Sequence, residues 1–276
     1  MLIGSEGTLG VITAATLKLK PIEPESGTAL VAIKSTHDIH KIYKLLKTHV
    51  SENISAIELM SGFGVSLVTS KFPKLRNPFD IDYKWFLLVE VTGAIGIVER
   101  LENALQDCFD HDILLDAIIA QSKQQKDDLW DLREMTPEAN KLAGAFCNSD
   151  TSVPISKISN FIDNSFSAIQ KIYPNLRINS YGHIGDGNIH LNVLPPKEIS
   201  KFDFLKNNPK VIEEVRMAIN ETTHSLGGSI SAEHGIGRLK IKDLEMYANK
   251  ARLKAIKSIK SAMDPNNIMN PGVIVS

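Results

Sequence analysis

The sequence predicts an α+β fold in which an antiparallel sheet is covered by helices, with a small helical unit at the C-terminal end. Short strand-like runs alternate with amphipathic helical patterns through most of the chain. Each strand-to-helix step is short, and no Gly-x-Gly-x-x-Gly follows a strand, which argues against a doubly wound parallel sheet. Residues 181–193 have the alternation of two antiparallel strands.

The individual elements follow from the same patterns. The predicted strands cover residues 10–20, 28–34, 56–60, 85–92 and 113–120, and the predicted helices cover residues 38–49, 95–109, 123–142, 155–172 and 210–226. Residues 194–209 are predicted to be a connection, because they contain three prolines. These assignments divide the chain into residues 1–22, 23–235 and 236–276.

Composition excludes several classes of protein. Lys and Arg total 31 and Asp and Glu total 32, so a net charge of -1 gives no broad attraction for nucleic acid or anionic lipid. The two cysteines, Cys108 and Cys147, cannot form a disulfide framework, which favours a reducing cytoplasm. The longest apolar runs, residues 86–91 and 113–120, are much shorter than the roughly 20 residues of a membrane-spanning helix.

Two histidines lie on a predicted hairpin in residues 181–193. Asp186-Gly187 is a preferred two-residue type I′ turn, and a turn at that place makes His183 directly face His190. Opposed side chains have Cβ atoms about 4.5–5.5 Å apart, so two imidazoles there can bind one metal ion. The same register predicts that Tyr181 and Asn192 share the histidine face. The alternative is a solvated strand face that happens to carry polar residues.

A third ligand has to come from another segment. Residues 231–238 offer Glu233 and His234 in a glycine-flanked loop. A carboxylate at Glu233 completes a His, His, Glu site for a divalent ion, and His234 is then available as a general base. Gly235 and Gly237 suit close approach of a ligand, and they equally suit an ordinary turn.

Taken together, these motifs resemble the FAD-linked oxidase family that includes D-lactate dehydrogenase, the D subunit of glycolate oxidase and D-2-hydroxyglutarate dehydrogenase. The resemblance covers nearly the whole chain, with five motifs in the family's order. They are GSEGTLGVIT at residues 4–13, VPIS at 153–156, GHIGDGNIH at 182–190, SAEHGIG at 231–237 and DPNNIMNPG at 264–272. The family's cap domain has a ferredoxin-like α+β fold, which agrees with the predicted class.

The resemblance implies a role for each matching residue. It implies that His183, His190 and Glu233 bind a divalent metal, zinc or manganese, and that His234 takes the proton of the substrate hydroxyl. Asn192 matches a substrate-site asparagine, and Arg133 matches an arginine that binds the substrate carboxylate in a bidentate pair. From the helical pattern alone, Arg133 is interpreted as a solvated helix residue.

The first motif implies FAD. In the family this segment comes near the end of an FAD-binding domain, and the motifs match flavin contacts at Gly4, Ser5, Glu6, Gly7, Gly10, Val11, Ile12 and Asn270. Because the motif starts at residue 4, we expect residues 1–22 to be the remnant of that domain. We further expect the chain to be the substrate half, which needs an FAD-binding domain or subunit.

The implied reaction is oxidation of a D-2-hydroxy acid to the 2-oxo acid, with electrons passed to an unidentified acceptor. If that acceptor is a membrane partner, we expect the protein to associate with the membrane surface through it. In the hydroxyglutarate branch, polar or basic residues four and fifteen positions after the arginine hold the second carboxylate. Here those positions are Pro137 and Asn148, so a small monocarboxylic acid such as lactate or glycolate is expected. The alternatives are an inactive remnant or split-protein subunit that binds metal or a partner, and a metal-dependent hydrolase.

Overall fold

The computed structural model describes residues 1–275, which form two compact units. Residues Ile22–Gly228 form the first, here called the sheet unit. Met1–Pro21 and the residues from Ser229 onward form the second, here called the terminal unit.

The sheet unit is built on one antiparallel sheet. Its strands are β1 (Glu25–Ile33), β2 (Ile54–Ser61), β3 (Trp85–Gly93), β4 (Leu114–Ile119), β5 (Cys147–Asn148), β6 (Thr151–Ser152), β7 (Arg177–His183) and β8 (Asn188–Leu194). Their order is β4-β1-β3-β2-β7-β8-β5, with β6 also paired to β8, and every pair is antiparallel. The predicted fold class is confirmed.

Helices cover both faces of this sheet. They are α1 (Ile39–Val50), α2 (Gly62–Lys71), α3 (Ile97–Asp110), α4 (Lys123–Glu134), α5 (Thr136–Leu142), α6 (Ile158–Ile172), α7 (Lys201–Asn207) and α8 (Val211–Ser225). The terminal unit contributes α9 (Ile241–Tyr247) and α10 (Lys250–Met263). Short 3-10 turns lie at Thr36–Asp38, Ser51–Asn53 and Ile155–Lys157.

The two faces of the sheet have different cores, because successive side chains of a strand point to opposite sides. One face packs residues such as Leu59 and Ile189 against α1, α3, α6 and α8. The other face packs residues such as Met60 and Phe86 against α2, α4 and α5. On β2, β7 and β8 this second face becomes polar, and that is where the candidate site lies.

Two predicted elements are corrected by the structure, and two helices were missed. The strand predicted at residues 10–20 is wrong: residues 10–24 form neither helix nor strand, and residues 11–24 are all exposed. A strand needs a neighbour for its backbone groups, and no described strand pairs with this segment. The helix predicted at 123–142 is two helices, because Pro137 is tolerated only in the first turn of α5. Helices α2 and α7 were not predicted.

Two expectations from the composition agree with the structure, one about the cysteines and one about membrane-spanning helices. Cys108 and Cys147 are free, buried thiols, and burial raises the pKa of Cys108 to about 12 and that of Cys147 to about 11. Within residues 1–275, every helix falls short of the length and apolar character that crossing a bilayer requires.

Candidate active site

The histidine hairpin forms, but its register differs from the prediction. In β7 and β8, His183 faces Asn188 and Tyr181 faces His190, so the predicted direct pairing of the histidines is wrong. The connection has four residues, 184–187, in place of two. The Asp186 carboxylate accepts a hydrogen bond from the backbone N–H of Asn188 at 3.0 Å, which is typical of a longer turn stabilised by an Asp side chain. Gly187 has φ +75°, and a Cβ there would lie 1.9 Å from the Val153 carbonyl oxygen.

The two imidazoles nevertheless converge, because a shift of two positions keeps them on the same face of the sheet. Their ring centroids are 6.2 Å apart and the rings are nearly perpendicular. His190 is 7% exposed, so this is not the solvated strand face that was the alternative. The predicted convergence of His183 and His190 is therefore confirmed, through a diagonal contact.

Each histidine is oriented through Nδ1. His183 Nδ1 lies 2.7 Å from Glu58 Oε1, and His190 Nδ1 lies 3.2 Å from the Ser149 carbonyl oxygen. A carbonyl and a carboxylate only accept, so Nδ1 is the donor in both rings, and in the neutral form of each ring the lone pair is on Nε2. This is the arrangement found around histidines that bind metals through Nε2.

Glu58 is the residue that sequence analysis missed. It lies on β2 directly opposite His183 and is 5% exposed. Its second oxygen, Oε2, accepts a hydrogen bond from Arg133 Nε at 3.0 Å. In the sequence it is one acidic residue within a short apolar run, between Ile57 and Leu59, and nothing in that run marks it as part of a site.

Arg133, at the end of α4, is buried with 8% exposure, so the interpretation as a solvated helix residue is wrong. Its guanidinium carbon lies 4.9 Å from the centre of the Tyr181 ring. The Tyr181 hydroxyl accepts a hydrogen bond from Asn192 Nδ2 at 3.2 Å. The structure thus brings Arg133 and Asn192 to the same face as the histidines.

One buried side chain on this face lacks a protein partner. Asn188, opposite His183, is 1% exposed, and neither its amide oxygen nor its amide nitrogen makes a hydrogen bond in the structure. Leaving such a group unsatisfied costs about 1–3 kcal/mol. A bound group with polar atoms next to His183 would remove that cost.

Glu233 and His234 lie in the terminal unit, on an exposed loop without regular secondary structure. Gly235 and Gly237 have φ of +76° and +53°, so the backbone conformation itself favours glycine at both positions. Ser231 Oγ donates to the Gly235 carbonyl oxygen at 2.7 Å, which closes the loop on itself.

The glycine-rich start of the chain supports this loop. The Glu6 carboxylate accepts hydrogen bonds from the backbone amides of Ile236 at 2.7 Å and Gly237 at 2.8 Å. Asn270 Nδ2 donates to the Glu6 carbonyl oxygen at 2.7 Å. Glu6 and Asn270, both matched to flavin contacts by the resemblance, therefore fix the loop that carries Glu233 and His234.

Comparison with known proteins decides the family. Residues 23–274 match the family described as FAD linked oxidases, C-terminal domain. The chain belongs to this family. It is 34% identical over 278 residues to a D-2-hydroxyglutarate dehydrogenase of Stutzerimonas stutzeri (strain A1501), covering 99% of this chain and 58% of that protein. A mitochondrial protein of Schizosaccharomyces pombe that carries a D-lactate dehydrogenase name is 29% identical, over 98% of this chain and 52% of its own length.

The chain thus spans about half the length of the relatives it matches. Among solved structures it is similar to an alkyldihydroxyacetonephosphate synthase, with a TM-score of 0.61 over 97% of this chain and 48% of the other. At 14% sequence identity, that likeness shows a common fold.

The terminal unit of this member of the C-terminal domain family also contains a cleft of about 570 Å³. It is lined by the start of the chain, including Gly4, Ser5 and Glu6, and by the loop with Glu233 and His234. Gly4 and Gly7 have φ of +80° and +72°. Val11 and Ile12 are 77% and 62% exposed, and Gly10 precedes them. Most of the residues matched to flavin contacts therefore border one cleft or continue from it as exposed chain.

Proposed function

We propose that this chain is the substrate-binding half of an enzyme that uses FAD to oxidise a D-2-hydroxy acid to the 2-oxo acid. One observation carries the proposal. A buried arginine, an asparagine and two Nδ1-bonded histidines lie on one face of the sheet unit, which is the set of groups needed to hold a carboxylate next to a divalent ion.

The metal proposal is that His183, His190 and Glu233 bind one ion of zinc or manganese. The two imidazoles suit a metal ion, because each Nδ1 is hydrogen-bonded to an oxygen and the two rings converge. The unsatisfied amide of Asn188 points to a polar group at the same place. Glu233 enters through the family resemblance, and a carboxylate is a suitable third ligand.

In this proposal each residue of the site has a separate role. Arg133 binds the substrate carboxylate through a bidentate pair, and Asn192 orients the substrate through its amide. His234 accepts the proton of the substrate hydroxyl as a general base. When bound, the metal ion supplies Lewis-acid polarisation of the substrate and FAD accepts the hydride.

For FAD, we propose that Gly4, Ser5, Gly7, Gly10, Val11 and Ile12 face the flavin, with Glu6 and Asn270 holding the segment in shape. Glycines with positive φ leave the backbone accessible to a ligand, and the cleft that Gly4 borders is within the size range of ligand sites. An FAD-binding domain or subunit would supply the rest of the cofactor site.

We also propose that the substrate is a small monocarboxylic acid. Asn148 lies on β5 directly opposite Asn192, so the position that is basic in the hydroxyglutarate branch is next to the proposed substrate site and is neutral here. Asn148 is exposed, and a second substrate carboxylate beside it would have no cation at that position to pair with. Relatives with both hydroxyglutarate and lactate names match this chain, so the choice needs a direct comparison of substrates.

The test follows dye reduction by the chain in the presence of FAD and an FAD-binding domain, supplied in the same polypeptide or as a separate subunit. We expect D-lactate to reduce the dye faster than D-2-hydroxyglutarate. Arg133→Lys should raise KM for the acid, whereas the control Arg177→Lys, on the same face of β7, should leave KM unchanged. Faster turnover of D-2-hydroxyglutarate contradicts the small-acid proposal, and no turnover of any D-2-hydroxy acid contradicts the proposed reaction.

A second candidate is a metal-binding and partner-docking module without catalysis of its own. It is favoured by the apolar surface at the start of the terminal unit, where Ile3, Val11 and Ile12 are 95%, 77% and 62% exposed. Turnover by the flavin-loaded complex separates the two candidates. Dye reduction by a D-2-hydroxy acid supports the enzyme, and a flavin-loaded complex that reduces no dye supports the docking module.

A further inference from the structure

We propose that Glu58 is the positioning residue of this site, because one carboxylate sets both the tautomer of His183 and the orientation of Arg133. The inference rests on the proposed function, since it assigns Glu58 a task at the same metal and substrate site. It rests structurally on contacts inside the sheet unit.

The placement of Glu58 is fixed by the sheet. Pairing of β2 with β7 puts Glu58 directly opposite His183, and its Oε1 lies 2.7 Å from His183 Nδ1. Its Oε2 lies 3.0 Å from Arg133 Nε. Glu58 and Arg133 are 5% and 8% exposed, so water competes little for either hydrogen bond.

The first consequence concerns His183. A carboxylate oxygen can only accept, so His183 Nδ1 donates and the neutral ring carries its lone pair on Nε2. That nitrogen is the one a metal ion needs. Glu58 therefore selects the metal-binding tautomer.

The second consequence concerns Arg133. Glu58 engages Nε, and the Tyr181 ring lies against the guanidinium with its centre 4.9 Å from the guanidinium carbon. The plane of the guanidinium is fixed by these two contacts. The edge formed by Nη1 and Nη2 is then the one suited to a bidentate bond with a substrate carboxylate.

Substituting an amide for this carboxylate gives a sharp test. Glu58→Gln keeps the shape but offers one accepting oxygen to two donors, His183 Nδ1 and Arg133 Nε. The oxygen should go to the permanently charged arginine, so the new NH₂ group faces His183. His183 Nδ1 must then accept, and its proton moves to Nε2.

The experiment reads this tautomer directly in the 276-residue chain without added metal. Long-range ¹⁵N–¹H correlation spectra of the imidazoles distinguish Nδ1–H from Nε2–H, and His183→Gln identifies the signal among the eight histidines. We expect the Nδ1–H form in the wild type and the Nε2–H form in Glu58→Gln. Glu90→Gln is the matched control, because Glu90 is a mostly buried carboxylate on the neighbouring strand β3 that bonds to Thr28, Lys126 and Trp130.

A double variant separates positioning from damage to the fold. In Glu58→Gln combined with Arg133→Met, the competing donor is gone, so the amide oxygen can accept from His183 again. The Nδ1–H tautomer should return. A general disturbance of the sheet would not be repaired by removing a second buried side chain.

Metal binding provides an independent readout. Titration with zinc or manganese should show a Kd about 10–100-fold weaker in Glu58→Gln than in the wild type or Glu90→Gln. If the wild type binds no metal, the proposed metal site fails, and the tautomer spectra still decide the role of Glu58. If His183 keeps the Nδ1–H tautomer in folded Glu58→Gln, the role of Glu58 is overturned whether or not metal binds.

Discussion

Tyr181 and His190 are the directly opposed pair of the β7–β8 hairpin, and their ring centroids lie 5.0 Å apart. The same Tyr181 ring lies against the guanidinium of Arg133. One aromatic side chain therefore contacts a proposed metal ligand on the sheet and the proposed substrate arginine on α4. It connects the two parts of the site in the absence of any ligand.

Substitutions at Tyr181 should separate the contribution of its ring to stability from that of its hydroxyl. Tyr181→Phe keeps the ring but leaves the buried Asn192 amide without its acceptor, which should lower the free energy of unfolding by about 1–3 kcal/mol. Tyr181→Leu also loses the contact with Arg133, worth about 2 kcal/mol when desolvated. Urea denaturation measures both, and equal losses in the two variants would argue against the ring contact.

Metal binding should depend on His190. The wild-type chain is expected to bind one divalent ion, and His190→Ala should weaken binding by at least about 100-fold, because it removes a ligand. His37→Ala is the matched control, since His37 is an exposed histidine paired with Asp163. Calorimetric titration with zinc and with manganese gives both affinities. Equally weak binding by wild type and His190→Ala would mean that the site does not exist as proposed.

Stability at acid pH should depend on Glu90. Burial raises the pKa of its carboxyl, but hydrogen bonds from Lys126 and Trp130 outweigh burial and hold the pKa below the usual value of 4.5. A folded-state pKa below the unfolded one means that the ionised carboxylate stabilises the fold above about pH 4.5. That contribution is lost as pH falls through the lowered pKa.

The indole of Trp130 reports on this ionisation, because its Nε1 donates to Glu90 Oε2 at 2.9 Å. In a Trp85→Phe background, Trp130 is the only tryptophan, and its fluorescence should change as pH falls below 4.5. Adding Glu90→Gln should flatten both the fluorescence titration and the acid limb of the stability profile. An unchanged acid limb would show that other carboxylates dominate.

The loop that carries Glu233 and His234 should loosen without Glu6. Glu6→Gln leaves one accepting oxygen for the amides of Ile236 and Gly237, so at least one of them should exchange hydrogen faster. Native-state exchange followed by NMR measures each amide, with Glu23→Gln as the control at an exposed acid. Unchanged exchange at both amides would indicate that the glycine conformations alone hold the loop.

Sequence patterns predicted the sheet, the helix-covered faces and the convergence of the two histidines, because those depend on local periodicity. They failed at one long-range contact and at one local side-chain contact. Glu58 is recognisable only through His183, 125 residues later in the chain. The Asp186-Gly187 turn was predicted from pair preference, but the Asp186 carboxylate accepts a hydrogen bond from the backbone N–H of Asn188, and the turn is longer.

The terminal unit is assembled from segments at opposite ends of the sequence, and this has a consequence for synthesis. The Glu6 carboxylate accepts a hydrogen bond from the backbone amide of Ile236, 230 positions later in the chain. Lys260 Nζ donates to the carbonyl oxygen of Thr8, 252 positions earlier. The sheet unit is one continuous segment that can fold on the ribosome as soon as it has emerged. Residues 1–21 can complete these contacts only after the segment that begins at Ser229 has been synthesised, so the terminal unit forms later than the sheet unit.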